Sequence, residues 1–209
     1  MERALLVRHA LAGSNRDGLA SGTAPGEGLT EEGRAQALAL RDALADVPLD
    51  LGVATGFART QETLELALGD REIPRVVVPA LAEIRFGHYD GGPLERYRGW
   101  AASELPSTLA PGGGESRASA AARFAAGARE LLARPERRLL VVAHALVVRY
   151  LLDAADGLVP AARIAPVAHA TPYELSRADL ERAAMVLEEW CRAPAFRESS
   201  PGSMGTMQR

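Results

Sequence analysis

The chain has 209 residues, one cysteine, four histidines and a formal net charge of −3. A single thiol excludes an internal disulfide framework and any multi-cysteine metal site, and the mild negative balance argues against a nucleic-acid surface. No apolar run has the length of a membrane span and no secretory-signal pattern opens the chain, so the expectation is a cytoplasmic globular protein with no membrane partner.

Ala4-Leu5-Leu6-Val7 reads as a short buried strand that delivers Arg8 and His9 at its carboxyl end. Leu11 to Gly28 is rich in Gly, Ser, Asn and Asp and reads as a loop. Thr30 is the expected N-cap of a helix running to about Asp46, with Glu31 and Glu32 in the positive first turn. Ala37, Leu40 and Leu44 share its apolar face, and Pro48 marks its end. Leu49 to Ala54 is a second strand. Thr55-Gly56-Phe57 then turns into a helix that stops near Leu68 at Gly69. Val76 to Val78 is a third strand. Leu81 to Gly114 is irregular and glycine-punctuated, with a short helix near Leu94 to Glu104. Glu115 to Ala133 follows the 3.6-residue period through Ala121, Phe124, Ala128 and Leu131, and Pro135 closes it.

Leu139 to Ala143 repeats the logic of the first strand and delivers His144, before an apolar helix over about Leu146 to Ala155. Thr171 to Leu175 is strand-like. Ala184 to Trp190 fits a strand, or a helix with Leu180, Ala184, Leu187 and Cys191 on one face. Ala193 to Arg209 has no periodicity and is expected to be a disordered tail, leaving residues 1–192 as one domain. Strand and helix alternate, which predicts a three-layer α/β/α sandwich with a mostly parallel central sheet. Such sheets bind ligands outside the carboxyl ends of their strands, where His9 and His144 are placed.

Taken singly, each of His9, His88, His144 and His169 reads as structural or exposed. No histidine pair has zinc-ligand spacing, and there is neither a Gly-Lys-Ser/Thr phosphate loop nor a dinucleotide fingerprint. Neither a metal nor a cofactor is therefore expected. The run Gly112-Gly113-Gly114 resembles a hinge more than a phosphate cradle.

Read together, six segments form an ordered set: Leu6-Val7-Arg8-His9-Ala10, Leu29 to Ala37, Ala54-Thr55-Gly56-Phe57-Ala58-Arg59-Thr60, Leu81-Ala82-Glu83 with Gly87 to Gly91, Gly113-Gly114-Glu115-Ser116, and Val141-Val142-Ala143-His144-Ala145. Their order and spacing resemble the histidine phosphatase superfamily, best its phosphoglycerate mutase-like branch, over roughly residues 3–190. The resemblance implies that His9 is the nucleophile that becomes a phosphohistidine. It makes Arg8 and Arg59 the arginines that hold phosphoryl oxygens, and His144 the second histidine of the phosphate pocket. Glu83 is then the proton donor, and Asn15 a further phosphate contact. The chain departs from the family pattern at Ala10 and Ala145, where glycines are usual, at Thr55 for Ser, and at Tyr89-Asp90 for a Trp-Glu pair. His169 stands where a small polar residue is common.

The chemistry suits these residue types. Forked guanidiniums match a phosphoryl dianion, and their charge disfavours imidazolium, which keeps a ring nitrogen of His9 free to attack. A carboxyl near an anionic substrate holds its proton for the leaving alkoxide. The resemblance implies a metal-free phosphatase acting on a small phosphorylated metabolite, with inorganic phosphate as product. Its rivals are a mutase of the same chemistry and a non-catalytic phospho-ligand-binding module. Against the mutase, Leu11 to Gly28 lacks the Gly-Trp-x-Asp-like segment of such enzymes. Asp90 reads as a turn residue and Tyr97-Arg98-Gly99-Trp100 as a segment where a lid would sit.

Overall fold

The structure, a computed structural model, describes residues 1–197. Five strands form one sheet in the order β3-β2-β4-β1-β5. β1 (Arg3–Arg8) and β4 (Arg138–Ala143) pair in parallel at its centre, with Leu5 opposite Leu140 and Arg8 opposite Ala143. β2 (Leu51–Ala54) and β3 (Arg75–Val77) continue the parallel run. β5 (Pro172–Ser176) lies antiparallel on β1 at the edge, where Pro172 costs no ladder bond.

Pleating sorts the central side chains to two sides. Leu6, Val141 and Ala143 face a core shared with α5 (Arg117–Leu132), α6 (Ala145–Ala155) and α7 (Arg177–Trp190). Leu5, Val7, Leu140 and Val142 face α2 (Glu31–Ala43) and α3 (Ala58–Leu68). Burial on both faces is why these strands read as unbroken apolar runs. Truncating a buried leucine such as Leu140 to alanine costs about 2–5 kcal/mol. The three-layer sandwich expected from the alternation is the fold observed.

Local differences have physical causes. Gly13–Arg16 forms one turn of helix, α1, inside the stretch read as loop. α2 ends at Ala43, with Leu44 as its cap residue. Ala184 to Trp190 belongs to α7. Ser176 caps that helix by accepting from the Asp179 amide, and Leu180, Ala184 and Leu187 bury one face. Residues 193–197, assigned by sequence to the tail, pack on the body. Trp190 Nε1–H donates to the Ala195 carbonyl at 2.6 Å, and Arg197 pairs with Asp153 at 2.9 Å. Residues 198–209 of the expected tail lie outside the described residues.

The irregular stretch, which includes α4 (Leu94–Ser103), is closely fastened. Gly87 has φ +59°, and a Cβ there would collide with the Pro111 carbonyl. His88 N–H donates to that carbonyl at 2.7 Å and Glu115 N–H to the Arg85 carbonyl at 2.9 Å. The glycine run read as a hinge thus packs against the segment following Glu83. No described helix is long and apolar enough to cross a membrane.

Candidate active site

β1, β2 and β4 end together, and each delivers one part of a buried polar cluster. β1 hands on Arg8 and then His9, whose amide donates to the Ala143 carbonyl at the end of β4 at 2.9 Å. β4 hands on His144, the N-cap residue of α6. β2 leads to Thr55 and through Phe57 into the first turn of α3, which carries Arg59. The ring centroids of His9 and His144 are 5.4 Å apart.

The hydrogen bonds assign the tautomers. Arg59 Nε–H donates to His9 Nε2 at 3.1 Å, so Nε2 carries a lone pair. Nδ1 must then hold the proton, which it donates to the Ala10 carbonyl at 2.8 Å. Arg59 Nη2 donates to His144 Nδ1 at 3.3 Å, leaving the proton of that ring on Nε2. There it donates to Thr55 Oγ1 at 3.0 Å, and the relay continues to Thr60 Oγ1 at 2.9 Å and the Phe57 carbonyl at 2.8 Å. His169 donates from Nδ1 to the His9 carbonyl at 2.7 Å and so braces the strand end from the β5 side.

Burial and charge set the protonation states. Both imidazoles are pushed well below their ordinary pKa, first by burial and then by the Arg59 charge. Both rings are therefore neutral at pH 7. Glu83 is 14 % exposed, and burial raises its carboxyl pKa against the pull of Arg59 and the Ile84 amide. Its Oε1 accepts that amide at 3.0 Å, and its Oε2 lies 3.9 Å from His144 Nδ1. Burial brings Arg8 down to about 10, which leaves it charged at neutral pH. Arg8 is anchored by donating to the Val167 carbonyl at 2.8 Å.

Arg8, His9, Asn15, Arg59 and Glu83 line one cavity of about 450 Å³. Asn15 sits on α1, and its Oδ1 accepts the Ala12 amide at 3.4 Å. His144 lies behind this wall, fully buried and in contact with Arg59. His88 is exposed and stands apart from the cluster. Asp90 ties down the neighbouring loop by accepting from the Gly22 amide and the Thr23 hydroxyl, both at 2.6 Å. Among the described residues, no group of three or more His, Cys, Asp or Glu is arranged to hold a metal ion.

Several supporting residues escape sequence reading. Ser21, in the loop that Asp90 holds, accepts from Arg59 through its hydroxyl at 3.2 Å and its carbonyl at 2.8 Å. Thr63 Oγ1 accepts the Ala10 amide at 3.0 Å. Arg123 forms a bidentate pair with buried Glu115 and also donates to the carbonyls of Ala80, Ala82 and Glu83. It thereby clamps the loop that carries Glu83. The available signal was an arginine among alanines, next to buried Phe124 on an otherwise apolar face of α5.

The model of the histidine phosphatase superfamily (branch 1) matches residues 4–192. Adenosylcobalamin/α-ribazole phosphatase of Escherichia coli K12 is 40 % identical over 88 residues, which is 42 % of this chain and 43 % of that protein. Its Salmonella typhimurium counterpart is 38 % identical over the same shares. The matched stretch therefore spans less than half the length of these curated relatives. Among solved structures, the α-ribazole phosphatase of Shigella flexneri superposes with a TM-score of 0.69 at 28 % identity, covering 82 % of this chain and 89 % of that one. A mycobacterial glucosyl-3-phosphoglycerate phosphatase in complex with VO3 gives a TM-score of 0.69 at 25 % identity, covering 84 % and 91 %.

Proposed function

The chain belongs to the histidine phosphatase superfamily (branch 1), and on that premise we propose that it hydrolyses a small phosphorylated metabolite through a phosphohistidine on His9. One observation carries this reading. His9 presents an unprotonated Nε2 to a buried guanidinium, in a cavity that also holds a carboxyl with a raised pKa.

Arg8 and Arg59 take the phosphoryl oxygens, and Arg59 gives up its bond to Nε2 as it does so. The freed lone pair attacks phosphorus in line, while the ester P–O bond breaks and its electrons stay with the leaving oxygen. That oxygen takes the proton of Glu83. Asn15 adds a contact to the phosphoryl group. As Arg59 turns from His144 Nδ1 to the phosphoryl group, the dianion raises the pKa of that ring, and Nδ1 takes up a proton from solvent and holds it in a hydrogen bond to an equatorial oxygen. Water next attacks the phosphohistidine, and Glu83, now a carboxylate, takes its proton. Inorganic phosphate departs and the Nε2 lone pair is restored. Two guanidiniums and an imidazolium supply the positive charge, so the cycle uses no metal. A reducing cytoplasm suits a chain whose one thiol, Cys191, is free, and that location is part of the proposal.

Rapid acid quench with radiolabelled substrate should trap an acid-labile phosphoryl adduct on the wild type and none on His9→Ala. An adduct that persists in His9→Ala would move the nucleophile elsewhere. The substrate panel begins with α-ribazole phosphate and glucosyl-3-phosphoglycerate, for which the relatives are named. Absence of turnover across the panel would favour a binding module.

A further inference from the structure

The cavity extends beyond its phosphoryl end, and two donors on its wall are unused by the chemistry above. Arg117, the first residue of α5, is 8 % exposed. Its Nε donates to the Tyr150 hydroxyl at 2.6 Å and its Nη2 to the Ala161 carbonyl at 3.4 Å, and both acceptors are neutral. The neighbouring carboxylates are committed elsewhere, Glu115 to Arg123 and Asp153 to Arg149 and Arg197. Its guanidinium lies over the Tyr150 and Phe196 rings, at 5.1 and 5.7 Å, but among the described residues no carboxylate pairs with it, and a buried charge without a counter-charge is costly unless something supplies one. Tyr97 is 4 % exposed, and its hydroxyl has no hydrogen-bond partner among the described residues. Burial raises the pKa of that phenol and Arg117 is the foremost charge opposing the rise, so the two groups lie within electrostatic reach of each other. Both line the cavity of Arg8 and Arg59, together with the apolar Phe86, Leu94 and Leu146.

A phosphoryl dianion matches Arg8 and Arg59 and leaves Arg117 unmatched. A guanidinium and a phenol both donate, so their shared ligand must accept. We propose that Arg117 and Tyr97 form a second anion subsite, which receives a carboxylate or second phosphoryl group carried by the leaving alcohol. The substrate is then a phosphomonoester whose two anionic groups are separated by a span that Phe86, Leu94 and Leu146 cover. This rests on the phosphomonoesterase reading above.

The test compares n-alkyl phosphates with ω-carboxyalkyl phosphates of equal chain length, over a series of lengths. At one length the carboxylate should raise wild-type kcat/KM by roughly 10- to 100-fold, the range of a hydrogen bond to a charged group. Arg117→Met should collapse that ratio, and Tyr97→Phe should lower it. Arg163→Ser, which removes an exposed arginine at the cavity wall, should leave the ratio intact. Should Arg117→Met not fold, the wild-type series and Tyr97→Phe decide the matter. The subsite is overturned if no length favours the carboxylate, if the preference survives Arg117→Met, or if Arg163→Ser abolishes it. Failure of the phosphatase reading looks different, because neither ester of any pair would then turn over.

Discussion

Glu83→Gln separates proton donation from positioning at the candidate site. Gln keeps a carbonyl oxygen for the Ile84 amide, which Glu83 Oε1 accepts at 3.0 Å. It places an amide nitrogen where Oε2 stood, 3.9 Å from His144 Nδ1, so shape is preserved and the acidic proton is lost. A general acid matters in proportion to how badly the leaving group needs a proton. Nitrophenolate leaves unaided, whereas the alkoxide of a sugar or glycerol does not. Glu83→Gln should therefore lower kcat/KM on an alkyl phosphate by roughly 10²- to 10⁴-fold, about 2.7–5.5 kcal/mol of transition-state stabilisation. The loss on nitrophenyl phosphate should be far smaller. The assay is kcat/KM on both esters in both proteins, since that ratio isolates the first phosphoryl transfer.

Because burial raises the pKa of Glu83, wild-type activity on the alkyl ester should hold at acid pH and fall as pH rises through that raised value. The aryl ester should lack this limb. The same shift has a stability consequence. A raised folded pKa means that stability is fully present below the unfolded carboxyl value and is lost as pH rises through the folded one. Glu83→Gln should accordingly be more stable than wild type at neutral pH, with the difference vanishing in acid. Equal losses on the two esters would refute the reasoning and make Glu83 a positioning residue.

Arg123→Met should cost about 3–5 kcal/mol in urea denaturation at neutral pH, because it leaves the buried Glu115 carboxylate with only the Arg85 amide and, 3.9 Å away, the exposed Arg85 guanidinium. Burial raises the pKa of Glu115, but bonds from Arg123 and the Arg85 amide outweigh it and hold the carboxyl low. Its stability contribution in wild type is thus present above the unfolded value and lost as pH falls. In the variant the stranded carboxyl is relieved by protonation, so the gap between the proteins should narrow near pH 4, roughly the free carboxyl value. A gap that does not change with pH would sink this account. Thr55→Val removes the acceptor of His144 Nε2–H and should cost about 1–3 kcal/mol, read as a shift in denaturation midpoint. Imidazole NMR should show His9 and His144 staying neutral as pH is lowered through about 6.5, where a free ring titrates. A midpoint near that value for either ring would contradict the burial and Arg59 argument.

Residue pattern alone determined a good deal of this protein. Apolar runs at Ala4–Val7 and Leu139–Ala143 specify buried parallel strands, because only strands covered on both faces lose their alternation. The same pattern places His9 and His144 at one sheet edge. The proximity of Arg59 and Glu83 also followed, though only through ordered motifs, since the period of α3 does not by itself aim Arg59 at the site and Glu83 lies in an irregular loop. What pattern could not reach was whatever depends on a partner distant in sequence. Helix or strand for Ala184–Trp190 was decided when Leu180, Ala184 and Leu187 found α5 and α6 to pack against. Docking of residues 193–197 depends on Asp153, on Trp190 and on a carbonyl at Pro160. Arg123 reads in sequence as a misplaced charge, and only tertiary structure supplies Glu115 and the three carbonyls that account for it. The neutral state of both imidazoles is likewise tertiary. Desolvation and the field of Arg59 are sums over neighbours brought together from Arg8 to His169, and no local window of sequence contains them.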